Sequence, residues 1–135
     1  RMDDAEYAVV VIGSSAGTGK DAVDTLRARG VHAGLIKVRS FRPFPTDELT
    51  EALKACRAVA IMDKTDSFSG NGGPLGAETR AALYHAGLHL PALDIVYGLG
   101  GRDVRVDDFY QVFDMLQDAA RGGEIPMYSY IGVRE

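Results

Sequence analysis

The run Ala58-Val59-Ala60-Ile61-Met62, closed by Asp63, constrains the fold more than any other stretch of the chain. Five consecutive apolar residues leave no solvent face, the pattern of a strand buried on both sides of a parallel sheet. A loop from Lys64 to Gly73 follows, carrying Gly70, Asn71, Gly72 and Gly73, and Pro74 then opens a helical pattern at the position where proline suits a helix start. The glycines let backbone N–H groups come close to another group and permit φ > 0. Strand, glycine-bearing loop and helix form one unit, and the unit recurs.

Ala8 to Ile12 is a second uninterrupted apolar strand, with Gly13 to Gly19 as its loop. From Lys20 to Arg29 a helix places Ala22, Val23 and Leu26 on one face and stops at Gly30. Ala33 to Val38 makes another strand, which Arg39-Ser40-Phe41-Arg42-Pro43-Phe44-Pro45 cannot continue because two prolines remove donors. Thr46 caps the next helix, with Asp47 and Glu48 in its first turn and Leu49, Ala52, Leu53 and Cys56 as its apolar stripe. A helix over about Leu75 to Ala86, closed by Gly87, leads to a fourth strand around Leu93 to Val96 and the loop Gly98-Leu99-Gly100-Gly101-Arg102-Asp103. Asp107 then caps a helix whose Phe109, Val112, Phe113, Leu116 and Ala120 form a stripe ended by Gly122 and Gly123. The tail from Ile125 to Val133 alternates weakly and reads either as a last strand or as an arm packing on a neighbour. Strands alternating with helices through right-handed crossovers predict an α/β fold, a three-layer α/β/α sandwich around a mostly parallel sheet of about five strands.

Bulk properties narrow the function classes. A chain of 135 residues, 46% hydrophobic, fits one globular domain with a real core. Fifteen Lys and Arg against 19 Asp and Glu give a net charge of −4 without a run of like charges, which argues against nucleic acid and membrane surfaces as partners. The single Cys excludes an intrachain disulfide and cannot by itself ligate an iron–sulfur cluster or structural zinc. No signal-like N-terminus and no apolar run approaching about 18 residues is present, so a reducing cytoplasm is the expected location. The opening residue, Arg1, suggests an excised piece of a longer protein.

Parallel strands send every post-strand loop to one edge of the sheet, where open α/β sheets bind ligands. Several motifs there have to be weighed. Gly13-Ser14-Ser15-Ala16-Gly17 fits a nucleophile elbow, but the histidine would have to be His85 or His89, and His85 ends a helix running about 18 Å away from that edge. The triad cannot close. Gly19-Lys20 suits a phosphate loop, yet Ser14 stands where the first Gly belongs and Asp21 where Ser or Thr should be; Gly17-Thr18-Gly19-Lys20-Asp21-Ala22 matches a dinucleotide pattern only loosely. His85 and His89 are separated by a helix-breaking Gly87, which favours helix-end histidines over metal ligands. Cys56, on the apolar stripe and away from the loops, reads as a buried inert thiol.

Four segments, in order, resemble one family: Gly13-Ser14-Ser15-Ala16-Gly17-Thr18; Gly34-Leu35-Ile36-Lys37-Val38-Arg39 with Phe41-Arg42-Pro43-Phe44-Pro45; Gly72-Gly73-Pro74-Leu75; and Tyr97-Gly98-Leu99-Gly100-Gly101-Arg102-Asp103-Val104. Together they are similar to the C-terminal domain of the alpha subunit of 2-oxoacid:ferredoxin oxidoreductases, the pyruvate synthase family, from about Ala8 to the end. That domain resembles the transketolase C-terminal domain, a five-stranded mixed sheet between helices. The resemblance implies an oxidoreductase of anaerobic metabolism that decarboxylates a 2-oxo acid on thiamine diphosphate with Mg²⁺, transfers the acyl unit to coenzyme A and passes electrons through iron–sulfur clusters to ferredoxin. It implies too that these cofactors are held elsewhere in the assembly, that residues 1–135 are a single domain cut from a longer alpha subunit, possibly leaving an edge strand behind, and that the isolated domain is inactive.

No catalytic, cofactor-binding or metal-binding residue is therefore expected in this chain. The expected role is structural, with Phe41, Arg42, Phe44, Lys64, Phe68, Gly72, Gly73, Gly100, Gly101, Arg102 and Asp103 as an interface toward other domains and subunits, since such edges concentrate aromatic and arginine anchors. The alternative is an independent small-molecule-binding or regulatory α/β module using the same glycine-rich edge.

Overall fold

The computed structural model describes residues 4–12, 15–38, 46–63, 74–96, 105–122 and 129–130. Strands and helices alternate: β1 Tyr7–Ile12, α1 Ser15–Ala28, β2 Ala33–Val38, α2 Thr46–Leu53, β3 Ala58–Asp63, α3 Pro74–His85, β4 Ala92–Val96, α4 Val106–Ala120 and β5 Ser129–Tyr130. The strands form one sheet in the order β2-β1-β3-β4-β5, and every pairing is parallel. Val9 lies opposite Leu35 on β2 and Ala60 on β3, and Ile61 lies opposite Asp94 on β4. Of the tail from Ile125 to Val133, the described residues Ser129 and Tyr130 form a strand pairing with Ile95 and Val96, and the others lie outside the described residues.

The apolar runs are buried on both faces, as their composition requires. Val9 to Val11 and Ala58 to Met62 have no exposed surface, and each fully buried Val or Ile stabilises the fold by about 1.5–3 kcal/mol. Successive residues alternate between two cores. On one face Val9, Val11, Ala60, Met62 and Ile95 meet Ala22, Val23 and Leu26 of α1 and Phe109, Val112, Phe113 and Leu116 of α4. On the other, Ala8, Val10, Val59 and Ile61 meet Leu49 and Leu53 of α2 and Leu83 of α3.

Several boundaries differ from the sequence expectation. Helix α1 begins at Ser15, so Gly17 and Gly19 are helical and the expected loop Gly13–Gly19 is largely helix. The reason is packing: a Cβ on Gly19 would lie 2.9 Å from Leu35 Cδ1 and 3.0 Å from Phe109 Cε1, so glycine there serves close approach of α1 to β2 and α4. Thr46 is the first residue of α2 instead of preceding it, and α2 ends at Leu53, leaving Cys56 beyond it. Arg105 stands at the N-cap of α4 with extended backbone (φ −115°, ψ 164°), so Asp107 falls in the first turn; the carboxylate of Asp108 accepts the Arg105 N–H at 2.8 Å. The C-terminal glycines behave as expected, with φ +88° at Gly30, +76° at Gly87 and +92° at Gly122.

The crossovers are not all of one hand. Helix α4 lies on the α1 face, whereas α2 and α3 share the other, so the β4-α4-β5 connection has the opposite hand to the preceding three. Coverage accounts for this: α1 alone would leave Ala60, Met62, Leu93 and Ile95 exposed, and the phenylalanines of α4 cover them.

Candidate functional site

All four strands β1 to β4 point the same way, so Ile12, Val38, Asp63 and Val96 end at one edge of the sheet. From β1 the chain proceeds outward to β2, returns to β3 on the other side of β1 and continues to β4. The direction of winding therefore reverses between β1 and β3. A reversal of this kind opens a crevice beyond the carboxyl ends of the two strands, between the helices that leave to opposite faces. The expected interface residues Phe41, Arg42, Phe44, Lys64, Phe68, Gly72, Gly73, Gly100, Gly101, Arg102 and Asp103 all belong to segments joining this edge to the next helix, and all lie outside the described residues.

The described residues beside that edge include one feature the sequence reading missed. Asp94, in the middle of β4, is 1% exposed, and it faces the α2/α3 core because its register partner is Ile61. The guanidinium of Arg80 on α3 reaches its Oδ2 at 3.4 Å. Beside Arg80, the buried Thr79 has no hydrogen-bond partner for its hydroxyl among the described residues. The signal in the sequence was an acid interrupting an apolar strand, Leu93-Asp94-Ile95, which demands a buried cationic or hydrogen-bonding partner.

The opposite edge carries an electrostatic cluster. Glu6 lies 3.2 Å from His32 Nδ1 and 3.7 Å from Arg57, whose guanidinium also sits 5.9 Å from the Tyr7 ring. Arg27 donates to the Ala33 carbonyl at 2.8 Å and to the Asp4 carboxylate at 2.6 Å, and this hydrogen bond holds the Asp4 carboxyl below its usual range. Cys56 is half-buried and donates to the Ala5 carbonyl at 3.4 Å, and desolvation pushes its thiol up to about 11. A thiol so held is protonated at neutral pH and is a poor nucleophile. His85 closes α3 and His89 follows it, both exposed, with the positive φ of Gly87 ending the helix between them.

One cysteine cannot supply the thiolates of an iron–sulfur cluster, and among the described residues no group of three His, Cys, Asp or Glu is placed to hold a metal ion such as the Mg²⁺ of a diphosphate. No helix among the described residues is long and apolar enough to cross a membrane.

A family model described as "Pyruvate:ferredoxin oxidoreductase core domain II" matches residues 5–109. The chain is 38% identical over 126 residues to the NADH-dependent phenylglyoxylate dehydrogenase subunit alpha of Aromatoleum evansii, covering 93% of this chain and 30% of that protein. It is 41% identical over 122 residues to pyruvate synthase subunit PorA of Methanosarcina barkeri, covering 90% and 30%, and 40% identical over 124 residues to ketoisovalerate oxidoreductase subunit VorA of Pyrococcus furiosus, covering 92% and 31%. The chain thus spans about a third of the length of these curated relatives. Among solved structures, the 2-oxoglutarate:ferredoxin oxidoreductase from Magnetococcus marinus matches with a TM-score of 0.63 at 15% identity, over 87% of this chain and 18% of that one. A split-gene transketolase matches with a TM-score of 0.61 at 15% identity, over 90% and 38%, which shows the shared transketolase-like fold. The four sequence motifs, the parallel sandwich and the match over residues 5–109 agree, and the chain belongs to the pyruvate:ferredoxin oxidoreductase core domain II family, the alpha-subunit domain of the 2-oxoacid:ferredoxin oxidoreductases.

Proposed function

We propose that residues 1–135 form a single structural and subunit-interface domain within a longer, cytoplasmic alpha subunit. The complete enzyme would use thiamine diphosphate, Mg²⁺ and iron–sulfur clusters to convert pyruvate or a related 2-oxo acid to its acyl-CoA, with coenzyme A and ferredoxin as partners. One observation carries the reading. Relatives named for phenylglyoxylate, pyruvate and ketoisovalerate match this domain at nearly equal identity, 38, 41 and 40%. A domain that chose among an aryl, a methyl and a branched-chain substrate would be expected to diverge with substrate. One that holds the assembly together would not. The absence of a cluster-forming cysteine set and the insulated thiol of Cys56 point the same way. The alternative of an independent small-molecule module loses part of its footing, because Gly17 and Gly19 lie inside α1 and are not available as a ligand-cradling loop.

Calorimetric titration of the chain with thiamine diphosphate and Mg²⁺ tests this. The expected result is no micromolar binding and no turnover of any 2-oxo acid. Micromolar binding by this chain alone would overturn the reading.

A further inference from the structure

The outer side of α3 differs from those of α2 and α4. On α2 the exposed positions are Asp47, Glu48 and Glu51, and on α4 they are Asp107, Gln111, Asp114 and Asp118. That is the usual division of a surface helix, apolar inward and charged outward. Over residues 78–85 of α3 the exposed positions are Ala81, Tyr84 and His85, and the turn that follows adds Ala86 and Gly87. The charged residues of this stretch, Glu78 and Arg80, are half-buried. Tyr84 is 81% exposed and is the one large apolar side chain among the described residues that stands in solvent. The inward side of the same stretch is supplied by the buried Thr79, Ala82 and Leu83, so the core of this domain makes no use of the Tyr84 ring. A single exposed aromatic is ordinary on a protein surface. Here it stands one turn from the small Ala81, on a face free of exposed acids and lysines, and protein interfaces are enriched in Tyr and depleted in Asp, Glu and Lys.

The size of the patch points to its occupant. A separate protein needs about 1,200–2,000 Å² of buried surface for a stable complex, and one aromatic side chain supplies only about 150–250 Å². A domain tethered in the same chain is held at an effective concentration on the order of millimolar and needs less contact to stay docked. The matched region makes up 30, 30 and 31% of the three relatives, which leaves most of such a subunit to provide the neighbour. We propose that the outer face of α3, centred on Ala81 and Tyr84, is the surface on which another domain of the longer alpha subunit packs, through an uncharged, apolar contact over the Tyr84 ring. This rests on the reading of residues 1–135 as one domain of that subunit. It adds a contact away from the carboxyl edge, since α3 runs from that edge and ends at the amino edge, where β4 begins.

The test is hydroxyl-radical oxidation of Tyr84, read by mass spectrometry, in the full-length subunit alone and in the enzyme assembled with its partner subunits. In the subunit alone Tyr84 is expected to react at least about tenfold more slowly than in the same subunit unfolded in urea, which sets the docked arrangement about 1.4 kcal/mol or more below the open one. Ala81→Glu, which places a charge one turn away at an exposed position, is expected to bring most of that reactivity back. Oxidation of Tyr84 near the unfolded rate in both samples overturns the proposal. Protection that arises only on assembly overturns it too, because the face then belongs to a partner subunit, as does protection undiminished by Ala81→Glu. The assembly of the Phe44→Ala subunit is measured in parallel. Weakened assembly there with Tyr84 freely oxidised leaves the interface reading standing while this proposal falls, and intact assembly overturns the interface reading whatever Tyr84 shows.

Discussion

Gly17 and Gly19 lie two residues apart in α1 and answer to opposite constraints. At Gly17 a Cβ would meet nothing within 4 Å, whereas at Gly19 it would press on Leu35 and on the ring of the buried Phe109. Replacing glycine by alanine in a helix interior is worth up to about 1 kcal/mol, so Gly17→Ala is expected to raise the free energy of unfolding by that order. Gly19→Ala gains the same propensity but overpacks a tight site at a cost of about 1–3 kcal/mol. Urea unfolding should therefore rank Gly17→Ala above wild type and Gly19→Ala below it. The sequence showed both glycines and their loose match to a phosphate loop, but a one-dimensional pattern carries no information on what a Cβ would touch. Cys56 gives a second residue-level prediction. Burial raises its thiol from 9.0 to about 11, so between these values the unfolded chain releases a proton that the folded one keeps. The stability associated with the protonated thiol is fully present below pH 9.0 and is lost as pH rises through about 11. Relative to Cys56→Ala, the wild type is expected to lose stability progressively over this window, and alkylation at pH 8 should be slow.

At the scale of elements, the strands were the legible part. Ala8–Ile12 and Ala58–Met62 announce themselves because a strand buried on both faces excludes polar residues, Ala33–Val38 is legible as an apolar run even with the exposed Lys37 of an edge strand, and the glycines after α1, α3 and α4 mark the ends of those helices by their backbone demands. Helix starts were less legible. The first five residues of α1 include two glycines that propensity assigns to a loop, and at Gly19 tertiary packing overrides propensity. At α4 an arginine occupies the N-cap, a position more often held by Ser, Thr, Asp or Asn, and the capping is supplied in reverse by Asp108 accepting the Arg105 N–H. Asp108→Ala is expected to cost about 1 kcal/mol, read as a shift in the urea midpoint with an unchanged slope. Asp94 is the instructive miss: its apolar neighbours in the strand identified β4, and the charge among them signalled a partner that only the parallel placement of α3 beside the sheet could identify as Arg80.

For the whole molecule, the order β2-β1-β3-β4-β5 gathers the ends of four parallel strands at one edge and puts a winding reversal between β1 and β3. Sequence motifs announced both the family and this edge because they span the carboxyl ends of strands, the segments that follow and the first residues of α1 and α3. The hand of the last crossover was not legible, since it depends on which face of the sheet remained uncovered after α1, α2 and α3 had packed. The account's central claim is that the edge is an interface, with Phe44 among its anchors. The most direct measurement is the assembly of the full-length Phe44→Ala subunit with its partner subunits, by sedimentation, alongside its melting temperature. Weakened assembly at a nearly unchanged melting temperature is the expected result. Intact assembly and activity would contradict the account, as would a loss of domain stability of about 3–5 kcal/mol, the mark of a core aromatic.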